Sequence, residues 1–210
     1  QAAANMKRVS CELGGHAPFL VFDDADPVHA AKGAQMVKFL NTGQACISPN
    51  RMLVQKDLVG VFTDVMVERV KKLKAGSGLE EGNAIGPLVN EAAIAKVDNQ
   101  VKDAVAKGAT LHCGGQRLVE GDLGKGYFYA PTVLSGVTED MLIYREETFG
   151  PVAAIIEFDK ESDVLDMAND TEYGLAAYVY TRDIGRALRV FEGLNFGIIG
   201  INDINPTSAA

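Results

Sequence analysis

Three short stretches hold residue types that could do chemistry together. "NTGQACISPN", Asn41 to Asn50, carries Cys46 among small and polar neighbours, just past the end of a helical pattern. A thiolate there could act as a nucleophile. Ala45 and Ser48 leave room for a ligand to approach the backbone, and the Cys46 N–H would be free to donate to it. "ELGGHAP" places Glu12 before Gly14 and Gly15; a carboxylate beside backbone that can be approached closely could serve as a general base. "REETFGPV", Arg145 to Val152, sets Glu146 and Glu147 ahead of Phe149, Gly150 and Pro151. Each stretch also has a plainer reading. Cys46 can be a small buried residue in a loop, Glu12 a surface carboxylate before a turn, and the two acids part of a charged loop. A cysteine hydrolase is a further alternative. It requires a histidine base, and His16, His29 and His112 are present without a local signature.

Other candidates are weaker. Cys11 and Cys113 lie in strand-like apolar contexts and read as core residues. Three scattered cysteines form neither a C-x-x-C pair nor a disulfide framework, which fits a reducing compartment such as the cytoplasm. Their spacing with the histidines supports no metal site. "GSGLEEG", Gly76 to Gly82, is spaced G-x-G-x-x-x-G, follows a helical pattern and precedes none, so it reads as a turn rather than a dinucleotide fingerprint.

The elements that must position these residues alternate. Apolar runs "RVSC", "PFLVF", "RMLVQ", "TLHC", "VAAIIEF", "AAYVYT" and "FGIIGIN" read as strands. "YFYAPTVL" reads as an edge strand or extended loop because of Pro131. Between them lie helices. One is capped by Asp26 with Pro27 in its first turn and runs towards Leu40, stopped by Asn41-Thr42-Gly43. A second is capped by Asp57. A third is capped by Asn90, with Ile94, Val97, Val101 and Val105 as its apolar stripe and Gly108 at its end. "SDVLDMAND" and "DIGRALRVFEGL" supply two more. The alternation predicts an α/β fold, layered, with a largely parallel sheet flanked by helices, as one domain over residues 1–210.

The bulk numbers agree. The chain has 210 residues, 47% hydrophobic and 23% charged, with a net charge of −8. An acidic chain without a basic patch is not expected to bind nucleic acid; Lys71 and Lys72 belong to a solvated helix face. No apolar run is long enough to cross a membrane. The N-terminal residues lack the pattern of a signal peptide, and a start at Gln1 points to a trimmed terminus.

Taken in order, "ELGGHAP", "NTGQAC", "GPLVNE", "FYAPTVL", "EETFGPV" and "NDTEYGLAAYVYTRD" resemble the NAD(P)-dependent aldehyde dehydrogenase superfamily along essentially the whole chain, most closely its succinate-semialdehyde branch. The resemblance implies that Cys46 is the nucleophile, forming a thiohemiacetal and then a thioester, with its backbone N–H as half of an oxyanion hole. It implies that Glu12 activates the water that hydrolyses the thioester. Glu147 would bind the nicotinamide ribose, Phe149 would pack by the nicotinamide, and the Leu13 backbone would lie near the carboxamide. The implied cofactor is NAD or NADP, the implied substrate a small aldehyde, and the implied assembly a homo-oligomer. Family members are more than twice as long. The cofactor-binding domain, the asparagine of the oxyanion hole and the oligomerisation strand that follows a "PFGG" stretch are not in this sequence. The chain is thus expected to be a catalytic domain, with cofactor bound mainly elsewhere. On its own it is expected to be inactive as a dehydrogenase and at most a weak thiol esterase. At Leu40 the succinate-semialdehyde enzymes often carry an arginine that pairs with the substrate carboxylate, which leucine cannot do. At Ser48 they often carry a second cysteine.

Overall fold

The computed structural model describes residues 2–204. Seven strands form one sheet: β1 (Ala17–Val21), β2 (Pro49–Gln55), β3 (Thr110–Cys113), β4 (Thr132–Ser135), β5 (Val152–Phe158), β6 (Ala176–Tyr180) and β7 (Ile198–Ile201). Their order is β3-β4-β5-β2-β1-β6-β7. Every neighbouring pair is parallel except β3 with β4. The helices are α1 (Pro27–Lys38), α2 (Val59–Val70), α3 (Glu91–Ala106), the short α4 (Leu142–Arg145), α5 (Glu161–Asn169) and α6 (Ile184–Gly193).

Strand alternation divides the core into two layers. Phe19 and Val21 of β1 pack with Met52 and Val54 of β2 beneath α1 and α2. Leu20 and Leu53 pack on the opposite face with Val97 of α3, Val164 of α5 and Val190 of α6. A sheet covered on both faces explains why β1, β5 and β6 read as nearly unbroken apolar runs. The Asp26 carboxylate accepts from the Val28 and His29 N–H groups, and Asn90 accepts from Ala93, so both expected caps are in place.

The sheet sets out the chemistry. Glu12 to Gly15 run into β1, Cys46 precedes β2, Glu147 to Gly150 precede β5, and Tyr173 to Leu175 precede β6. Those four strands are parallel and adjacent, so all four loops meet at their amino-terminal edge. Most open α/β sheets bind ligands beyond the carboxyl ends of their strands; this sheet gathers its reactive residue types at the other edge.

Arg51 fixes the joint between β2 and α5. Its guanidinium is fully buried in the strand. It donates to Met167 O at 2.7 Å, Ala168 O at 2.8 Å and His16 O at 3.4 Å. The first two carbonyls belong to the last turn of α5, where backbone acceptors lack intrahelical partners and a cation is favoured. Arg51→Met keeps most of the stem and removes every donor. A buried acceptor left without its partner costs about 1–3 kcal/mol, so a loss of about 3 kcal/mol in unfolding free energy is expected by urea titration. A loss below about 1 kcal/mol would contradict the capping role.

Several sequence expectations change. "RVSC" is not a strand; Val9 is 63% exposed and Cys11 is exposed, because residues 7–16 find no strand to pair with. Cys113, by contrast, is partly buried and packs against the apolar layer beneath α1 and α2, as its strand context implied. Helix α2 has no side-chain cap: Asp57 sits in a 3-10 turn, Lys56–Leu58, that leads into it. On α3, Val105 is 42% exposed and Ala104 takes the buried position. Pro131 does not mark an edge. It stands just before β4, which is paired on both sides, so its missing N–H falls outside the ladder. Helix α1 ends at Lys38, short of Leu40. Residues 205–210 of the terminal "INDINPTSAA" lie outside the described residues.

Candidate active site

The Cys46 loop begins with an unusual turn. After α1 the chain makes a 3-10 turn, Leu40–Gly43, in which Asn41 (φ 48°), Thr42 (φ 61°) and Gly43 (φ 76°) are all left-handed. Gly43 suits this conformation. It is also irreplaceable on space, since a Cβ there would lie 2.1 Å from Gly150 O. A β-branched threonine with positive φ is strained by about 1–3 kcal/mol and persists only where its surroundings hold it. Here the "GPLVNE" segment does so. Thr42 Oγ1 accepts from Gly86 N at 2.9 Å and donates to Gly86 O at 3.2 Å. Gln44 donates to Pro87 O at 3.2 Å and accepts from Val89 N at 2.9 Å. On the far side of Cys46, Tyr178 OH of β6 donates to Ile47 O at 2.9 Å. The loop is therefore held from both flanks. Cys46 is left partly buried, with a backbone N–H that donates to no group among the described residues.

Cys46 lines two connected openings. One, of about 450 Å³, is walled by Glu12, Leu13, Gln44, Cys46, Glu147 and Phe149. The other, of about 700 Å³, shares Glu12, Leu13, Gly14 and Cys46 with the first and brings in Cys11, Tyr173 and Leu175. These are the dimensions of a small-molecule cleft. Thus Cys46, Glu12, Leu13, Glu147 and Phe149 come together from three loops. Leu40 does not join them: it is 56% exposed and lines neither opening.

The loops interlock at two glycines. Gly15 N donates to Glu147 Oε1 at 2.8 Å. A Cβ on Gly14 would lie 2.9 Å from the Tyr173 ring and 3.1 Å from Glu147 Oε2, so the missing side chain keeps the floor of the cleft low. Phe149 has φ 51° and is 37% exposed, which turns its ring to the cleft. Among the described residues no lysine, arginine or histidine lines either opening.

None of the three histidines serves as a base for Cys46. His16 is buried, with Nε2 2.8 Å from Tyr144 O, a carbonyl that can only accept, so Nε2 carries the proton. Burial, with the Arg51 charge second, brings its pKa down to about 3 and keeps the ring neutral. His112 pairs with Ser135, and His29 lies on the first turn of α1. The cysteine-hydrolase alternative thus lacks its base.

Residues beneath the cleft were not foreseen from sequence. Lys38, Ser48, Asn50 and Arg51 are all buried, and Tyr173 and Tyr178 touch the loops directly. Lys38 carried a readable signal: it stands four residues after Ala34, on the face of α1 that the sheet covers. Arg51 carried another, as a charge in an otherwise apolar strand.

Comparison with known proteins agrees with this arrangement. The aldehyde dehydrogenase family model matches residues 1–210. The NADP(+) succinate-semialdehyde dehydrogenase GabD of Escherichia coli (strain K12) is 48% identical over 202 residues, which is 96% of this chain and 41% of that protein. The 3-sulfolactaldehyde dehydrogenase of Pseudomonas putida is 47% identical, with the same two coverages of 96% and 41%. A crystal structure of succinate-semialdehyde dehydrogenase from Burkholderia pseudomallei superposes with a TM-score of 0.92 at 48% identity, covering 97% of this chain and 41% of that one. The chain therefore spans about two fifths of the length of the curated relatives it matches. With the match running from one end of the sequence to the other, and the α/β sheet shared with solved members, this chain belongs to the aldehyde dehydrogenase family.

Proposed function

We infer that the protein carrying this chain oxidises an aldehyde to a carboxylic acid with NAD+ or NADP+, using Cys46 as nucleophile and Glu12 as general base. The observation that supports this reading is the convergence of Cys46, Glu12, Glu147 and Phe149 on one cleft from three separate loops. The residues present fit the nicotinamide end of the cofactor. Glu147 spends one oxygen on Gly15 N–H and keeps the other for a ribose hydroxyl. Phe149 offers a ring face, Leu13 is exposed beside it, and Gly14 leaves the floor open.

Chemistry at the cleft follows from these groups. The Cys46 sulfur adds to the aldehyde carbon, and the carbonyl oxygen, gaining negative charge, meets the Cys46 N–H as a fixed donor. Phe149 and Glu147 would hold the nicotinamide, and when bound the oxidised ring would supply the hydride acceptor that the change from aldehyde to acyl level requires. Glu12 then takes a proton from water as its oxygen adds to the thioester carbon. The carbon–sulfur bond breaks, the acid leaves, and the Cys46 thiolate is restored.

Residues 1–210 form the catalytic domain on this reading. The cofactor's pyrophosphate is met outside this cleft, since no basic group among the described residues lines it; the adenine site and the contacts of a homo-oligomer are assigned to other parts of the protein on family resemblance alone. The same fact supports a second statement: the chain by itself is at most a slow thiol esterase. No helix among the described residues is long and apolar enough to cross a membrane, and three unpaired cysteines suit the cytoplasm. The substrate is a small semialdehyde, in keeping with the name of the Escherichia coli relative. No lysine, arginine or histidine among the described residues lines the cleft to meet its far carboxylate. Assay of the complete polypeptide with a panel of semialdehydes and uncharged aldehydes, with each cofactor, tests this. Semialdehyde turnover is expected, with less than about tenfold preference over an uncharged aldehyde of equal length, or under about 1.4 kcal/mol, since this chain brings no cation to the cleft for a charge-assisted pair. Failure of every aldehyde with both cofactors would overturn the function.

A further inference from the structure

We propose that Lys38 is a positioning residue for the reaction: its buried ammonium locks the Cys46 loop and the Glu12 loop into one geometry through Ser48 and Asn50. The proposal rests on the reading of Cys46 and Glu12 as nucleophile and base.

Lys38 is the last residue of α1 and is wholly buried, though it lines neither opening. Its Nζ donates to Ser48 Oγ at 3.2 Å and to Asn50 Oδ1 at 2.7 Å. Ser48 stands two residues after Cys46. Asn50 in turn donates from Nδ2 to Gly15 O at 3.2 Å, three residues after Glu12. In its charged form, which the Glu147 charge favours, Lys38 Nζ has donors only and can meet only the oxygen of the Asn50 amide. That choice turns the Asn50 NH₂ towards Gly15. A hydrocarbon at position 38 would leave the amide free to flip, and a flipped amide would set oxygen against oxygen at Gly15. Gly15 also touches the Cys46 backbone, where a Cβ would fall 1.9 Å from Cys46 O. The lysine therefore braces the point at which the two reactive loops meet.

Both direct partners of this ammonium are neutral side chains, which is a costly way to bury a charge. Burial brings the Lys38 pKa down to about 7, against the opposing pull of the Glu147 charge from the loop before β5. The other titratable group bearing on it is His16, at the start of β1, which stays neutral. A methionine would fill the same space without that cost and without directing Asn50.

The test uses an activated ester, p-nitrophenyl acetate, on the complete polypeptide, because the ester acylates Cys46 without cofactor. The burst reports acylation and the steady state reports deacylation. Lys38→Met is expected to keep a burst of full amplitude and to slow the steady state by about 10- to 100-fold, the scale of a small misplacement of a reacting group. The kcat/KM for aldehyde, which reports the steps up to acylation, should stay within about twofold, because the substrate-lining residues are untouched. Asn50→Leu should give the same split, and Lys38→Met/Asn50→Leu should be no slower than the slower single variant, since the two act in series. If Lys38→Met does not fold, Asn50→Leu carries the test alone. A wild-type steady-state rate in either variant, or multiplying effects in the pair, overturns the proposal. A wild-type protein without a burst would instead overturn the reading of Cys46, which separates the two failures.

Discussion

Cys46→Ala is expected to abolish the ester burst and aldehyde oxidation together, while Glu12→Gln keeps the burst and slows steady-state release by about 10²- to 10⁴-fold. The division follows from where the two groups stand. Cys46 sits on a loop held from both sides, by Thr42 and Gln44 against residues 86–89 and by Tyr178 OH on Ile47 O. Removing its sulfur leaves that scaffold whole and takes away the thiol that lines both openings, whereas Cys11 lines the second alone. Glu12 lines both openings beside Cys46 and is exposed, so it can meet water. Glutamine keeps its shape and cannot accept the proton. Acylation does not require that proton transfer, so the burst survives, and a trapped acyl-enzyme should be visible by intact mass. Equal loss of burst in both variants would contradict the division of labour. A Glu12→Gln enzyme with the wild-type steady state would assign the base to another group.

The layers of the fold were legible because they rest on local signals. Asp26-Pro27 announced α1, and doubly covered strands wrote themselves as apolar runs. The errors came where a local pattern needed a partner that the chain does not supply. "RVSC" has strand composition, but residues 7–16 have no neighbour to pair with, and Cys11 is left exposed. Asp57 is a good capping residue placed a turn too early. Pro131 lacks a donor at a position where none is needed. At the site, the lining residues could be picked out by their types: a thiol, a carboxylate before glycines, acids before Phe-Gly-Pro. The supporting residues could not be picked out this way. Lys38, Ser48 and Asn50 span helix, loop and strand, and only the crossing of α1 under β2 brings them within hydrogen-bond reach. Thr42 and Gly86 meet across a still longer separation. Such contacts belong to the packing of distant segments, and no periodicity records them.

Gly15→Ala is expected to lower both acylation and deacylation by at least about 10²-fold while leaving the sheet intact. Gly15 is not among the glycines with positive φ, so conformation does not demand a glycine there. Space does. The added methyl carbon would lie 1.9 Å from Cys46 O and 2.9 Å from Cys46 C. Both are backbone atoms, which cannot swing aside as a side chain can. Either the Cys46 loop or the Glu12 strip must shift by an ångström or more. The Cys46 loop is pinned by its hydrogen bonds to residues 86–89 and to Tyr178. Gly15 is pinned by Glu147 through its N–H and by Asn50 through its carbonyl. Whichever gives way, nucleophile and base lose their register. The clash lies before β1 begins, outside the two apolar layers, so the far-UV circular dichroism should match the wild type and the melting temperature should fall by only a few degrees, about 1 kcal/mol in a chain of this size. This pattern of kinetic collapse with modest loss of stability is the reverse of that expected for Arg51→Met, whose two shorter hydrogen bonds cap α5. A Gly15→Ala protein within about tenfold of wild-type rates would mean that the two loops yield freely. The close meeting of Gly15 with Cys46 O would then set nothing about the reaction.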